Sequence, residues 1–294
     1  ANLHSSGLTA DEIVSILRDV EVEPVLTAHP TEAKRLSVLE QHRALHPLLA
    51  TRNSCIPAPS REAMLRDDTK AALERLWRTG EILLEKPTLA DERRNVLHYL
   101  RDVFPTVLPQ LDARLRGAWS AGGLDPEQLR HPDALPRIRF GTWVGGDRDG
   151  HPGVTAAVTA ETLERLRVNA LVVHHRELTR LAAKLSLSGW MQPAPEALAG
   201  FIATQREMLG SRAAKITATH HGEPWREAAH YLLARLPVQV TPGQLAQMRE
   251  DDVSYRRASD LAADLAILHK SLLSVGAVRL ADHDARDGQH LLLA

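Results

Sequence analysis

Apolar residues recur along most of this chain every three or four positions, the spacing of one face of an α-helix. Thr9-Ala10-Asp11-Glu12 has the form of a capping box, and Ile13, Ile16, Leu17 and Val20 follow at i, i+3, i+4 and i+7. A second helix is expected to start at Pro30 or Thr31 and run through Leu36 and Leu39 to about Leu49. After a loop at Pro57–Ser60, a third carries Leu65, Ala72, Leu73, Leu76 and Trp77. Helical spacing also covers roughly 91–116, 126–131, 159–187, 196–210, 225–236, 242–249 and 256–274. Only about 20–26 and 137–144 read as strands, short apolar or β-branched runs of the kind that is buried.

Both runs end abruptly in ionisable residues with Gly or Pro. The first leads into Thr27-Ala28-His29-Pro30-Thr31-Glu32, the second into Gly145-Gly146-Asp147-Arg148-Asp149-Gly150-His151-Pro152. Such punctuation marks a turn into a helix. Ligands of α/β proteins bind at the carboxyl ends of strands, so both clusters are expected to face one pocket. His29 precedes a helix start, whose free N–H groups attract an anion, and an imidazole there can hold or shuttle a proton near neutrality. The alternative is a core histidine bonded to a carbonyl. Lys34 and Arg35, one turn on, either add positive charge or are solvated. Arg148, flanked by Asp147 and Asp149, is a guanidinium held in place and suited to carboxylate or phosphate; the alternative is a charged surface turn. Glycines at 141, 145, 146 and 150 allow unusual dihedrals and close approach of a ligand. The Asp-x-Asp pair lacks the rest of an EF-hand pattern, and His42 and His46 lack a Glu-x-x-His context, so no metal site is assigned. His174-His175 and His220-His221 read as packing or solvated residues.

Charge is balanced, with 36 Lys and Arg against 37 Asp and Glu, which argues against a nucleic-acid or anionic-membrane footprint. No apolar stretch approaches the roughly 20 residues of a membrane span. The first residues, Ala1-Asn2-Leu3-His4, lack the basic and apolar regions of a secretory signal. Cys55 is the single cysteine, which excludes an internal disulfide and suits a reducing compartment. A soluble cytoplasmic protein is expected. Two strands do not make a stable sheet in a chain of 294 residues, so they either join strands from elsewhere or decorate a helical body. With Gln289–Ala294 showing no helix stop signal, a fragment of something longer is expected.

The two clusters, in this order, resemble those of phosphoenolpyruvate carboxylase. Trp77-Arg78-Thr79-Gly80-Glu81 with Lys86-Pro87-Thr88 and Asp91-Glu92, and Gly222-Glu223-Pro224-Trp225-Arg226, are similar to further segments of that family. The resemblance implies an eight-stranded β/α barrel wrapped in extra helices. In this reading the chain is a mainly α-helical fragment of an α/β barrel enzyme: residues 1–294 form the N-terminal part of the domain, 20–26 and 137–144 are its first two strands, and the C-terminal half is absent.

It further implies a lyase that joins phosphoenolpyruvate to bicarbonate, giving oxaloacetate and phosphate, through carboxyphosphate and the enolate of pyruvate. Such an enzyme feeds the tricarboxylic acid cycle as a cytoplasmic homo-oligomer, a tetramer. Mg²⁺ or Mn²⁺ is implied as cofactor, with ligands outside this chain. His29 matches the family's histidine that acts on carboxyphosphate. Arg148 matches the arginine of the glycine-rich loop, with Asp147, Asp149 and Arg35 as further substrate-binding residues. His151 stands where the family has Asn, Leu36 where it has Arg, and Leu83-Leu84 where it has an Arg pair; those arginines belong to its sugar-phosphate activation region. A non-catalytic helical regulatory or interaction module on the same fold is the alternative.

Overall fold

A computed structural model describes residues 6–27, 36–54, 59–80, 88–148 and 153–285. The chain forms two compact units, one of Ala1–Val25, Leu97–Gly141 and Leu163–Ala294, the other of Leu26–Val96 and Thr142–Thr162. Helices dominate both.

The first unit opens with α1 (Ala10–Asp19), whose capping box forms as the sequence predicts: Thr9 Oγ1 accepts from the Glu12 amide at 3.3 Å and Glu12 Oε2 accepts from the Thr9 amide at 2.8 Å. Its apolar face places Ile13 and Val14 against Trp119, Leu129, Ala134 and Leu135. Two short parallel strands follow the expectation of pairing. β1 (Glu21–Val22), ahead of β2 (Val25–Leu26), lies in register with β3 (Arg137–Ile138), Glu21 opposite Arg137. The Arg137, Arg139 and Gly141 amides donate to the carbonyls of Val20, Val22 and Pro24 at 3.0, 2.9 and 3.1 Å. Gly141 begins β4 (Gly141–Thr142).

These strands differ from the expectation in two ways. Pro24 has no N–H, so the 20–26 run is split into two-residue pieces rather than one strand. Nor are they buried: Val22 is 49% and Val25 43% exposed, and among the described residues each strand pairs with one neighbour.

The main core lies in the helices that follow. α6 (Ala156–Lys184) enters this unit after α2 (Leu36–Ser54), α3 (Pro59–Thr79), α4 (Leu89–His98) and α5 (Phe104–Ala121). The C-terminal stretch of α6 packs with α7 (Glu196–Leu209), α9 (Pro224–Ala234) and α10 (Ala258–Ser274), with Leu198, Trp225, Tyr231, Leu232, Leu268 and Leu272 fully enclosed. Between α7 and α9 lies α8 (Ser211–Thr219), which the periodicity missed.

Two expectations fail locally. The helix expected at 242–249 is instead a hairpin, β5 (Val238–Gln239) antiparallel to β6 (Gln247–Met248). Thr241-Pro242-Gly243-Gln244 turns there with Gly243 at φ +75° and the Gln244 amide donating to Thr241 O, the residue order of a type II turn. The helix expected at 91–116 is broken by a wide π turn at Tyr99–Val103. Pro105 cannot donate to the carbonyl four residues back, and the ladder resets before it. Asp282-His283-Asp284 lies in a helical turn (Ala281–Ala285), where Asp282 pairs with Arg130 at 3.0 Å.

In the second unit α2 and α3 pack as a helical pair, and Val38 on α2 and Ala72 on α3 are buried. The Pro57–Ser60 loop gives way to helix at Pro59, a proline tolerated in a first turn. Trp77, expected on the apolar face of α3, is 86% exposed. Among the described residues no helix is long and apolar enough to cross a membrane.

Two histidines of the first unit give a testable consequence. Burial pushes His174 down to about 4, and burial together with the nearby His220 and Arg226 charges does the same to His230. Their unfolded value is 6.5, so both stay neutral in the native state while the unfolded chain takes up protons. Their contribution to stability is complete above pH 6.5 and is lost as pH falls toward 4. The urea midpoint should therefore drop between pH 7 and pH 4.5, and His174→Gln should flatten that dependence by about one proton. A midpoint constant over this range would contradict the assignment.

Candidate functional site

The two expected clusters begin at paired positions. In the second unit the Trp143 amide donates to Leu26 O at 3.1 Å, so the last residue of β2 is bonded to the residue that follows β4. Leu26 immediately precedes the first cluster, and Trp143 lies two residues before the second. His29 and Arg35 lie outside the described residues, as do Asp149, His151, Leu83 and Leu84; Asp147 and Arg148 are described, and both are exposed.

The turn that carries Asp147 and Arg148 is built from below. Val144 is buried, and its amide donates to Thr142 Oγ1 at 3.1 Å. The Gly146 and Asp147 amides both donate to Trp143 O at 2.9 Å, closing a tight turn. Gly145 stands at its apex with φ +79°. A Cβ there would run into Oγ1, Cβ and Cγ2 of Thr162 on α6. Glycine is required twice over, for the left-handed dihedral and for the space.

Thr162 is itself buried, at 4% exposure. Its hydroxyl donates to Val158 O at 2.8 Å and accepts from Arg93 Nη1 at 3.4 Å, while Arg93 Nη2 reaches Glu161 at 2.8 Å. The sequence reading passed over Arg93 and Thr162. One signal was available: Arg93 and Arg94 are adjacent on a helix that begins with acidic residues, so both cannot serve the same local partner. Arg94 pairs with Asp91 at 3.2 Å, and Arg93 reaches across to α6.

The other family-like segments prove architectural. Thr88 and Asp91 form a capping box at the start of α4, the Thr88 hydroxyl donating to Asp91 Oδ2 at 2.6 Å and the Asp91 amide to Thr88 Oγ1 at 3.3 Å. Gly222-Glu223-Pro224-Trp225-Arg226 starts α9: Trp225 Nε1 donates to Ser271 Oγ at 2.9 Å, and Arg226 donates to the Ala182 and Ala183 carbonyls at 2.9 and 3.0 Å. The segment thus ties α9 to α10 and to the end of α6.

Two cavities in the first unit, about 490 and 350 Å³, are lined by charges that compensate each other. In the larger, Arg235 pairs with Asp264 at 2.7 Å and lies 4.0 Å over the Tyr255 ring. In the smaller, Glu227 accepts from Arg206 at 2.8 Å, from Thr217 at 2.7 Å and from Tyr231. Burial alone would raise the Glu227 carboxyl, but those hydrogen bonds outweigh it and hold it below the ordinary range. Both clusters read as internal braces. Among the described residues no group of three or more His, Cys, Asp or Glu could hold a metal ion.

Comparison with known proteins gives a consistent result. The sequence model described as PEPcase, phosphoenolpyruvate carboxylase, matches residues 1–292. The phosphoenolpyruvate carboxylase of Xanthomonas euvesicatoria pv. vesicatoria is 33% identical over 271 residues, covering 92% of this chain and 28% of that protein. That of Roseiflexus castenholzii is 31% identical over 300 residues, covering 98% and 31%; that of Nocardia farcinica is 32% identical over 289 residues, covering 95% and 30%. The chain spans under a third of the length of these relatives.

The apex of the turn is directly testable. Gly145→Ala should destabilise the protein by about 2–4 kcal/mol in urea unfolding, combining the dihedral penalty with the collision against Thr162. Adding Thr162→Ala should recover part of the loss but not the dihedral part. Equal stability of Gly145→Ala and the parent would show that the turn is not seated as described.

Proposed function

This chain belongs to the phosphoenolpyruvate carboxylase family, and on that premise we propose that it is the N-terminal part of an enzyme that carboxylates phosphoenolpyruvate with bicarbonate, giving oxaloacetate and phosphate. The observation that carries the reading is the pairing of Leu26 with Trp143, which starts both polar clusters from neighbouring positions. The exposed Val22 and Val25 of the short strands support placing them in a larger sheet that the rest of a barrel completes.

In this reading a bicarbonate oxygen attacks the phosphorus of phosphoenolpyruvate, and the enolate of pyruvate leaves as carboxyphosphate forms. His29 accepts the carboxyphosphate proton as the intermediate releases CO₂ and phosphate, and the enolate carbon then adds to the CO₂. Arg148 binds the phosphate or carboxylate as a planar donor, oriented by Asp147 and Asp149, while Arg35 adds positive charge at the helix start. A Mg²⁺ or Mn²⁺ ion would stabilise the enolate charge. Its ligands are assigned outside this chain. The complete enzyme is proposed to act in the cytoplasm as a homo-oligomer.

A second reading, a helical interaction module without activity, has one feature in its favour: Met64, Leu73 and Trp77 leave α3 with exposed apolar side chains. Kinetics separate the two. In the complete enzyme His29→Asn should lower kcat by about 10²–10⁴-fold while leaving the KM for phosphoenolpyruvate nearly unchanged, because an amide fills the space but cannot take the proton. Normal carboxylation by this variant would overturn the role given to His29. The 294-residue chain alone should give no Mg²⁺-dependent oxaloacetate in the same assay, and turnover of about 1–10³ s⁻¹ would show that it carries the whole site.

A further inference from the structure

The glycine-rich turn must hold Arg148 in one place if that residue is to bind an anion with useful affinity. Asp147 and Arg148 are exposed and two of the preceding residues are glycines, so the seating of the turn matters. The restraint comes from beneath. Gly145 rests on the side chain of Thr162, closely enough that a single added carbon would collide with it. Thr162 is in turn fixed at both ends of its hydroxyl, by Val158 O within α6 and by the Arg93 guanidinium from α4. Arg93 is 16% exposed at its side chain, and its second nitrogen is anchored on Glu161, so its position is set by two partners one residue apart on α6. A cation shared between a hydroxyl and a carboxylate in a partly buried setting is a stiffer strut than a surface pair.

We propose that Arg93 and Thr162 are positioning residues for Arg148: the Arg93–Thr162 contact forms the bed on which the Gly145 turn sits, and thereby sets the affinity for the anionic substrate. The inference rests on the reading of Arg148 as a substrate-binding group. Arg93 acts through the turn and belongs to no substrate contact. The expected signature is a change in KM rather than in kcat, since what is lost is the placement of a binding group in ground state and transition state alike.

The test uses the complete enzyme, four single variants and one double variant. Arg93→Gln should raise the KM for phosphoenolpyruvate about tenfold with kcat within about twofold, the usual scale for a hydrogen bond to a charged group. Arg93→Lys, which keeps the charge toward Glu161, should restore KM to within about threefold of the parent. Thr162→Val keeps the surface under Gly145 but removes the hydroxyl; it should raise KM alone and add less than about twofold on top of Arg93→Gln, because the two share one path. Should Arg93→Gln fail to fold, Thr162→Val carries the same test. Hydrogen exchange supplies a readout independent of activity: the Gly146 and Asp147 amides should exchange about tenfold faster in Arg93→Gln or Thr162→Val. A lowered melting temperature with unchanged KM and unchanged exchange in these amides would reduce Arg93 to a structural residue and overturn the inference. Arg148→Gln, the fourth variant, separates the two layers. If it leaves KM unaltered, the substrate-binding reading of Arg148 fails, and the exchange rates still decide whether Arg93 and Thr162 position the turn.

Discussion

Parallel pairing between two segments far apart in the chain is the constraint on which the candidate site depends. A parallel pair cannot be closed by a hairpin; it needs a long crossover, and here the intervening residues include α2 to α5. The entropic cost of so long a connection grows only slowly with its length, so the pairing is affordable once helices organise the intervening chain. Its product is local. The carbonyl of Leu26 and the amide of Trp143 are bonded, and each residue leads into one of the two polar clusters. Disturbing the pairing would separate the clusters even with every side chain in them intact.

Motifs shared with the family divide into two kinds once the geometry is known. Thr88 with Asp91, and Gly222 through Arg226, serve architecture: the first caps α4, and the second locks α9 onto α10 and the end of α6 through Ser271, Ala182 and Ala183. Neither needs a ligand to explain its residue types. The turn at Gly145–Arg148 is different, because its internal hydrogen bonds leave the charged residues exposed. In the reading proposed for Arg148, the left-handed glycine and the close approach to α6 serve to present its guanidinium.

Much of the helical body was legible because local signals and tertiary burial agree there. The Thr9–Glu12 capping box needs only four residues, and the Ile13–Val14 face finds an apolar partner in Trp119 and Leu135. The parallel pairing was also legible, from two short runs with similar endings. What the pattern missed depended on particular residues. Pro242-Gly243 overrides the helical spacing of 242–249, and Pro24 and Pro105 each interrupt an element by removing one donor. Burial of the strands was misread, since an apolar run predicts a partner without saying that the partner is present. Arg93 and Thr162 were invisible for another reason: their contact spans α4 and α6, and no local periodicity encodes it.

The central claim is that His29 and Arg148 converge on one anion site. The most direct measurement is a thiol cross-link in the Cys55→Ser background, with cysteines replacing His29 and Arg148 and a bismethanethiosulfonate reagent about 5 Å long. Reach along the chain alone, about 3.5 Å per residue, would allow the two loops to diverge widely. Convergence predicts rapid, near-complete intramolecular cross-linking by this short reagent. Cross-linking only with long reagents would contradict a shared site.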